Sequence, residues 1–449
     1  MLLRNTICLP CGKRENYKFS QSVSGTSRQA SDNFPVGKNI EFRLRNISNR
    51  KMRYIAFAKQ IYRFIICLQI MSCCITIPVL CIIYLWGDIM TTTDNALFFL
   101  GANTPEGFYS LFSELYSPED GWRLYIIKGG PGTGKSTLMK RIASAADRRG
   151  LFCEKICCSS DPESLDAVII PSLKISIADG TPPHVIEPKY PGVCEKFVDL
   201  GLFRDDSRLS SFRDEIIETA KENSFYHKKC VDFLLAALAC RNDTASVVLP
   251  AMKIDALHKL SEKLSEKLLS GVCDTPVRMK KRIISAVTPA GVRDFSETLG
   301  ALAEKKVILY DSFGCAAAVI LKFLSLRAAE KGTEGYCCYD FMNPSSSPTA
   351  LILPSFNLSL QRVKAKPREN ESGSLTVNCM RFYDSTVLSR HKNRIAFNNR
   401  SESEMIAGAS ECLIKAKSAH DRLEGYYIGA MDFEKMNDFS EKLIKEIFD

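Results

Sequence analysis

Over most of its length the chain lacks an excess of charge of either sign. Of its 60 Lys/Arg and 51 Asp/Glu residues, 13 and 4 fall within positions 1–89, so the net +9 resides there and the remainder balances. A neutral body has no overall basic field to draw a phosphate backbone, which argues against a nucleic-acid-binding surface from position 90 onward. Paired C-x-x-C spacing is lacking as well. Twelve of the 18 cysteines follow residue 89, scattered or adjacent as in Cys157-Cys158 and Cys337-Cys338. That pattern excludes a four-cysteine zinc site. Adjacent cysteines in apolar runs read as small core residues, reduced in a reducing cytosol. There is no compositional bias either: 45% hydrophobic and 25% charged residues exclude a disordered or fibrous chain. What is there is length, and 449 residues suffice for two or three domains.

Residues 1–89 form a basic extension containing one apolar run. Phe64 to Trp86 is 23 residues without a charge, long enough to cross a bilayer. Arg43, Arg45, Arg50, Lys51, Arg53, Lys59 and Arg63 precede it, and the positive-inside rule holds that side in the cytoplasm. Everything after residue 87 would then lie outside, where thiols are oxidised. Three resolutions remain open: insertion against the charge rule, an anchor with an unusual role, or translation that starts at Met90. The last is preferred, because the codons for Trp86-Gly87-Asp88 can supply a purine-rich ribosome-binding sequence. Localisation is then cytoplasmic; a membrane enters only if the 64–86 segment is made.

A degraded repeat organises the rest. Thr104-Pro105-Glu106-Gly107 recurs as Thr288-Pro289-Ala290-Gly291, and Cys157-Cys158 as Cys337-Cys338. Val168–Leu173 recurs as Leu351–Phe356, and Ala251-Met252 as Ala430-Met431. Two copies of ordinary domain size result, residues 90–272 and 273–449. The basic run Arg278 to Arg282 between them reads as a solvated connector. Within the first copy, Leu124–Lys128, Phe152–Cys158 and Lys174–Ala178 read as strands and Ser136–Arg149 as a helix. Arg208–Cys240 reads as one or two long helices, and Ile254–Leu269 as another. Apolar strands alternating with helices predict an α/β fold, a parallel sheet covered on both faces in a three-layer sandwich.

Gly129-Gly130-Pro131-Gly132-Thr133-Gly134-Lys135-Ser136 fits the P-loop pattern G-x-x-x-x-G-K-S/T in full. An apolar strand runs into it and a helical pattern leaves it. Its glycines let successive N–H groups turn inward as an anion nest. The helix behind aims its positive end at the same point. Lys135 then reaches the β- and γ-phosphates, the Ser136 hydroxyl binds Mg²⁺, and Thr137 reaches the α-phosphate. The required acid at a neighbouring strand tip is Asp179, ending Ile175-Ser176-Ile177-Ala178; the alternative for it is a turn residue before Gly180. Asp161, past another strand end, is a candidate base, with Asp166 and Glu187 as rivals. His184 is placed to sense the γ-phosphate or line an acceptor site, or is a structural histidine.

Aligned on glycines, the second copy sets Gly314 against Gly132, Ala317 against Lys135 and Ala318 against Ser136; aligned on Pro171 and Pro354, it sets Arg362 against Asp179. It therefore keeps the apolar frame and loses the phosphate groups. It is expected to be structural or regulatory, or to lend an arginine such as Arg293, Arg362 or Arg381 to the first copy.

On these residues the chain resembles a bacterial family of tandem P-loop proteins known as ATPases or nucleotide-kinase-like proteins. The resemblance runs from about Leu97 to the C-terminus. It rests on Gly101-Ala102-Asn103-Thr104, Lys128–Thr137, Cys158-Ser159-Ser160-Asp161-Pro162, Asp179-Gly180-Thr181-Pro182-Pro183-His184 and Ala430-Met431-Asp432-Phe433. It implies a P-loop NTPase fold, here with a degenerate second copy, and ATP with Mg²⁺; it names no substrate. It also implies a start near Met90. The activities in contention are ATP hydrolysis, phosphotransfer to a small acceptor under a lid formed by 205–250, and nucleotide sensing with little turnover. Hydrolysis is preferred because no acceptor motif is visible. N-terminal sequencing of the native protein is expected to begin at or just after Met90; peptides from residues 1–60 would refute that start.

Overall fold

The computed structural model describes residues 96–269, 277–367 and 374–449. The apolar run 64–86 and the start at Met90 lie outside these residues. Among the described residues, no helix is long and apolar enough to cross a membrane.

The chain is a mixed α/β structure built on two sheets. The first half supplies β1 (Ala96–Phe98), the hairpin β2 (Gly101–Thr104) and β3 (Gly107–Ser110), β4 (Arg123–Lys128), α1 (Lys135–Asp147), β5 (Glu154–Cys157), β6 (Leu165–Ile170), β7 (Ile175–Asp179) and β8 (Glu195–Asp199). Helices α2 (Asp206–Ser210), α3 (Arg213–Val248) and α4 (Ile254–Leu268) follow. The second half runs β9 (Lys280–Thr288), β10 (Gly291–Asp294), α5 (Glu297–Leu302), β11 (Lys305–Tyr310), α6 (Cys315–Glu330), β12 (Tyr336–Asp340), β13 (Pro348–Leu353), β14 (Leu358–Val363) and β15 (Ser374–Asn378). It closes with α7 (Ser385–Arg390), α8 (Lys392–Ile428) and α9 (Phe433–Phe448).

The sheet orders are β1-β5-β6-β7-β4-β8 and β10-β9-β12-β13-β14-β11-β15. Neither sheet is purely parallel, which corrects the sequence expectation. In the first, β6 runs against both neighbours, β5 and β7. The cause is connection length: β6 and β7 are joined by one 3-10 turn, Pro171–Leu173, and by Lys174 in the left-handed region at φ 54°. A parallel crossover needs about a dozen residues or more. The pairs β1–β5, β4–β7 and β4–β8 are parallel. This sets the tip of β4 between the tips of β7 and β8.

The recurring Thr-Pro-x-Gly words close matching hairpin turns. Thr104 Oγ1 donates to Gly107 O at 2.7 Å and Thr288 Oγ1 to Gly291 O at 2.8 Å. The long helices α3 and α8 pack antiparallel along their length. Arg241 Nη2 of α3 donates to Glu402 Oε1 at 2.7 Å, Arg394 Nε of α8 donates to Asp243 Oδ2 at 2.7 Å, and Arg422 pairs with Glu222. Their ends are exchanged between halves. Asp205 N donates to Ala430 O and Asp384 N to Ala251 O, both at 2.8 Å. Asp432 N donates to Phe203 O and Lys253 N to Phe382 O, again at 2.8 Å.

One apolar cluster contains buried residues of both halves, among them Phe98, Phe99, Ile127, Ile283, Ile352, Ala409 and Leu443. Phe99 and Ile283 exchange backbone hydrogen bonds of 2.8 and 3.0 Å, tying β1's end to β9. Arg282 is no solvated connector: it lies in β9 and is 1% exposed. Its Nε and Nη2 donate to Glu154 Oε2 at 2.8 and 2.7 Å, Nη1 donates to Lys281 O, and Tyr336 Oη donates to Glu154 Oε1 at 2.9 Å. Every oxygen of this buried carboxylate thus has a donor. Removing one partner strands a buried charge, which costs about 3–5 kcal/mol. Glu154→Gln or Arg282→Met alone is expected to lower unfolding free energy by that amount in urea titrations, and Glu154→Leu with Arg282→Met to recover most of it. A single-variant loss below about 1 kcal/mol would show the pair to be incidental.

Candidate functional site

Leu124 to Ile127 are buried on both faces because β4 is an interior strand, so the chain leaves the sheet only at Lys128. The loop then turns through glycines at positive φ: Gly132 at 66° and Gly134 at 84°. Gly134 is the residue before α1, and its left-handed backbone disfavours a side chain by about 1 kcal/mol or more. Behind it, Leu138, Met139 and Ile142 bury one face of α1, so the helix aims its unpaired first-turn N–H groups back at the loop. Thr133 Oγ1 donates to Gly130 O at 2.9 Å, which tightens the turn.

Lys135 folds over this loop. Its Nζ donates to Gly130 O at 2.7 Å and Gly129 O at 3.3 Å, and lies 3.6 Å from Asp179 Oδ2. Register places the acid: Ile127 of β4 pairs with Asp179 of β7. Asp179 Oδ1 accepts from Thr181 N at 2.8 Å and Thr181 Oγ1 at 2.6 Å, which aims its carboxylate at Lys135. Ser136 Oγ accepts from Leu165 N at 3.0 Å, keeping its own proton and one further lone pair. Thr137 is exposed and Pro131 is half-buried.

The other named residues divide. Asp161 Oδ2 accepts from Ser164 Oγ at 2.8 Å and its carbonyl from Ser164 N, so it braces its own turn between β5 and β6. Glu187 is exposed. Asp166, its buried rival, stands beside His184, with Oδ2 3.2 Å from Nε2. The His184 ring is 7% exposed, stacked on Phe112 at 4.4 Å and edge-on to Phe108 at 5.0 Å. Burial pulls its pKa down, but the Asp166 carboxylate outweighs that with help from Asp179 and against Lys135, so the imidazole stands above its ordinary value. Lys135, Asp179, Asp166 and His184 therefore share one electrostatic neighbourhood, which Asp161 is not shown to join.

The second half covers the loop, and sequence reasoning missed this. Glu424 Oε1 of α8 accepts from Gly132 N at 3.3 Å. A methyl on Gly130 would lie 2.4 Å from the Tyr427 ring, and one on Gly132 2.9 Å from Glu424 O and from Ile428. One on Gly134 would lie 2.9 Å from the Met436 methyl of α9. No local signal in a polar helix marks Glu424 or Tyr427; only the antiparallel pairing of α3 with α8 brings them here. Of the arginines offered to this site, Arg362 Nε instead donates to Asp311 O in its own half, and Arg293 and Arg381 lie over Phe295 and Phe382.

The corresponding loop of the second half is differently filled. Counted from the strands, Arg362 pairs with Leu309 and Asp179 with Ile127. The helix, however, starts sooner. Gly314, at φ 87°, takes the left-handed position before α6 that Gly134 takes before α1. The Asp311 carboxylate, 0% exposed, accepts from Phe313 N at 3.1 Å, Ala317 N at 2.9 Å and Tyr383 Oη at 3.1 Å. A side chain of the loop itself thus occupies the amides there.

No protein-family model matches the chain, and no curated protein or solved structure does either.

A raised histidine pKa stabilises the fold when the ring is charged. For His184 that contribution is complete below the unfolded value of about 6.5 and is lost as pH rises through the higher folded value. Melting curves of the wild type and His184→Asn across this range are expected to differ most at the acidic end. A gap that is constant or widens with pH would contradict the Asp166 pairing.

Proposed function

We propose that the chain is a Mg-dependent ATP-binding protein of the P-loop NTPase fold, present as two tandem copies with the second degenerate, and that it hydrolyses ATP at the first-half loop in the cytoplasm. The observation that supports this best is the meeting of Lys135 with Asp179 across a glycine-built turn between an interior strand and a helix start. That the Gly132 amide already holds a carboxylate oxygen, from Glu424, adds that the loop attracts an anion.

In this reading Gly129, Gly130, Pro131, Gly132, Thr133 and Gly134 shape the cradle. Lys135 leaves the carbonyls of Gly129 and Gly130 for the β- and γ-oxygens, and Thr137 is exposed beside the helix start for the α-phosphate. Ser136 and Asp179 offer a hydroxyl and a carboxylate oxygen, the ligand type magnesium takes while keeping several waters. Bound there, the ion neutralises charge on the β- and γ-oxygens. Hydrolysis is favoured over phosphotransfer because α3, the segment needed as a lid over an acceptor, is committed along its length to α8.

Lys135→Ala is expected to reduce phosphate release from ATP by about 100-fold or more, since it removes the charge nearest the developing anion. Equal rates in the two proteins would defeat the enzymatic reading. Glu424→Ala frees the Gly132 amide and deletes a charge facing the phosphates. It is expected to tighten ATP binding by about three- to tenfold in a calorimetric titration, the equivalent of roughly 1 kcal/mol; unchanged affinity would mean that Glu424 does not compete with nucleotide.

A further inference from the structure

Three buried side-chain atoms among the described residues have no hydrogen-bond partner: Asn103 Nδ2, Asp166 Oδ2 and His184 Nδ1. Buried polar atoms are rarely left unpaired, and each orphan asks for a ligand. These three come from distant parts of the chain, and His184 joins them: it stands beside Asp166 and packs on β2, the strand that carries Asn103. His184 Nδ1 lies 3.2 Å from where a Cβ on Gly101 would stand. Asn103 is two residues on, on the same face of β2 and about 6–7 Å along it. Phe108, the cross-strand partner of Asn103, is edge-on to the His184 ring. Asp166 is at the other ring nitrogen.

The chemistry of the three atoms is specific. Once the ring is neutral, above its raised pKa, the remaining proton stays on Nε2 beside Asp166 and Nδ1 is an acceptor, while Asn103 Nδ2 is a donor. A ligand that suits both must accept one hydrogen bond and donate another, as a hydroxyl does. A phosphate oxygen, which only accepts, does not. The neighbourhood is that of the loop: Leu165, the residue before Asp166, donates its N–H to Ser136 Oγ at 3.0 Å, and His184 N donates at 2.8 Å to the carbonyl of Thr181, whose own N–H donates to Asp179.

We propose that Asn103, His184 and Asp166 form a binding site for a hydroxyl oxygen, from water or a small alcohol, that attacks the terminal phosphate held by the loop. The proposal rests on the nucleotide reading above for its second half and on the orphan atoms alone for its first. In the step, the hydroxyl oxygen forms a bond to the terminal phosphorus as the bond from phosphorus to the bridging oxygen breaks. ADP leaves with that electron pair, and the hydroxyl proton passes to His184 Nδ1 and on to solvent. Asn103 and His184 touch the nucleophile; Asp166 is a positioning residue that holds the imidazole tautomer.

Two measurements decide it. A crystal structure of the wild-type chain at a resolution that shows waters is expected to reveal an ordered oxygen within hydrogen-bond reach of both Asn103 Nδ2 and His184 Nδ1. A dry contact there overturns the site whether or not nucleotide binds. In phosphate-release assays, Asn103→Leu and His184→Asn are each expected to lower kcat by about 100-fold with KM for ATP within about twofold of wild type. Asp166→Asn, which keeps the shape, is expected to lose less. A preserved kcat in both Asn103→Leu and His184→Asn, or loss of ATP binding in parallel with kcat, overturns the catalytic role. With methanol or glycerol added, an alkyl phosphate product identifies an alcohol as the nucleophile, and inorganic phosphate alone identifies water. If Lys135→Ala releases phosphate as fast as wild type, the nucleotide reading fails and the catalytic role with it, and the crystallographic oxygen alone decides the pocket.

Discussion

The reciprocal exchange at the ends of α3 and α8 is the constraint on which the rest of the arrangement depends. Four backbone hydrogen bonds of 2.8 Å, matched in pairs with the halves interchanged, fix where each helical corner lands. The corner after α8 lands on the first-half loop, bringing Glu424, Tyr427, Ile428 and Met436. The corner after α3 lands on the second half, where Val248 and Leu257 join Ala316, Ala317 and Ile320 in one apolar cluster. Each loop is therefore finished by residues from the other half. The buried Glu154–Arg282 pair and the continuous apolar cluster hold the two sheets close enough for this exchange.

The two loops answer the same electrostatic problem in opposite ways. Backbone amides gathered at a turn and a helix start create a positive concavity. In the second half, Asp311 fills it from within. Full burial of that carboxylate is offset by donors from Phe313, Ala317 and Tyr383, and the site is closed on itself. In the first half the equivalent strand end is Gly129, which has no side chain to offer. The concavity borrows a carboxylate from Glu424, which is only loosely engaged at 3.3 Å and sits on an exposed stretch of helix. An anion held that weakly is one that a better-fitting anion can displace.

Much of the site was legible in the residues because its pieces carry local reasons. A buried strand, left-handed glycines and a helix start need no distant partner, and Asp179 is placed by one register relation. Other parts depended on relations that sequence patterning does not encode. All six residues of β6 are buried, so it shows no alternation to betray a neighbour; the brevity of its flanking turns was the usable sign of antiparallel direction. Arg282 resembled its exposed basic neighbours because charge alone does not reveal a buried partner more than a hundred residues earlier. Asn103 and His184 were visible as parts of distinctive segments, yet only folding sets His184 against the strand that carries Asn103. Glycine count sets Gly314 against Gly132, while the earlier start of α6 gives Gly314 the conformation of Gly134.

The exchange also sets an order of events during synthesis. A ribosome makes the loop at 129–137 long before residues 424–436 emerge, so until then the glycine turn has no cover. The nascent first half carries an open anion-seeking concavity that closes only when the last two helices leave the tunnel. Completion of the pocket thus waits on residues 424–436, and a product truncated before α8 would leave the glycine turn uncovered.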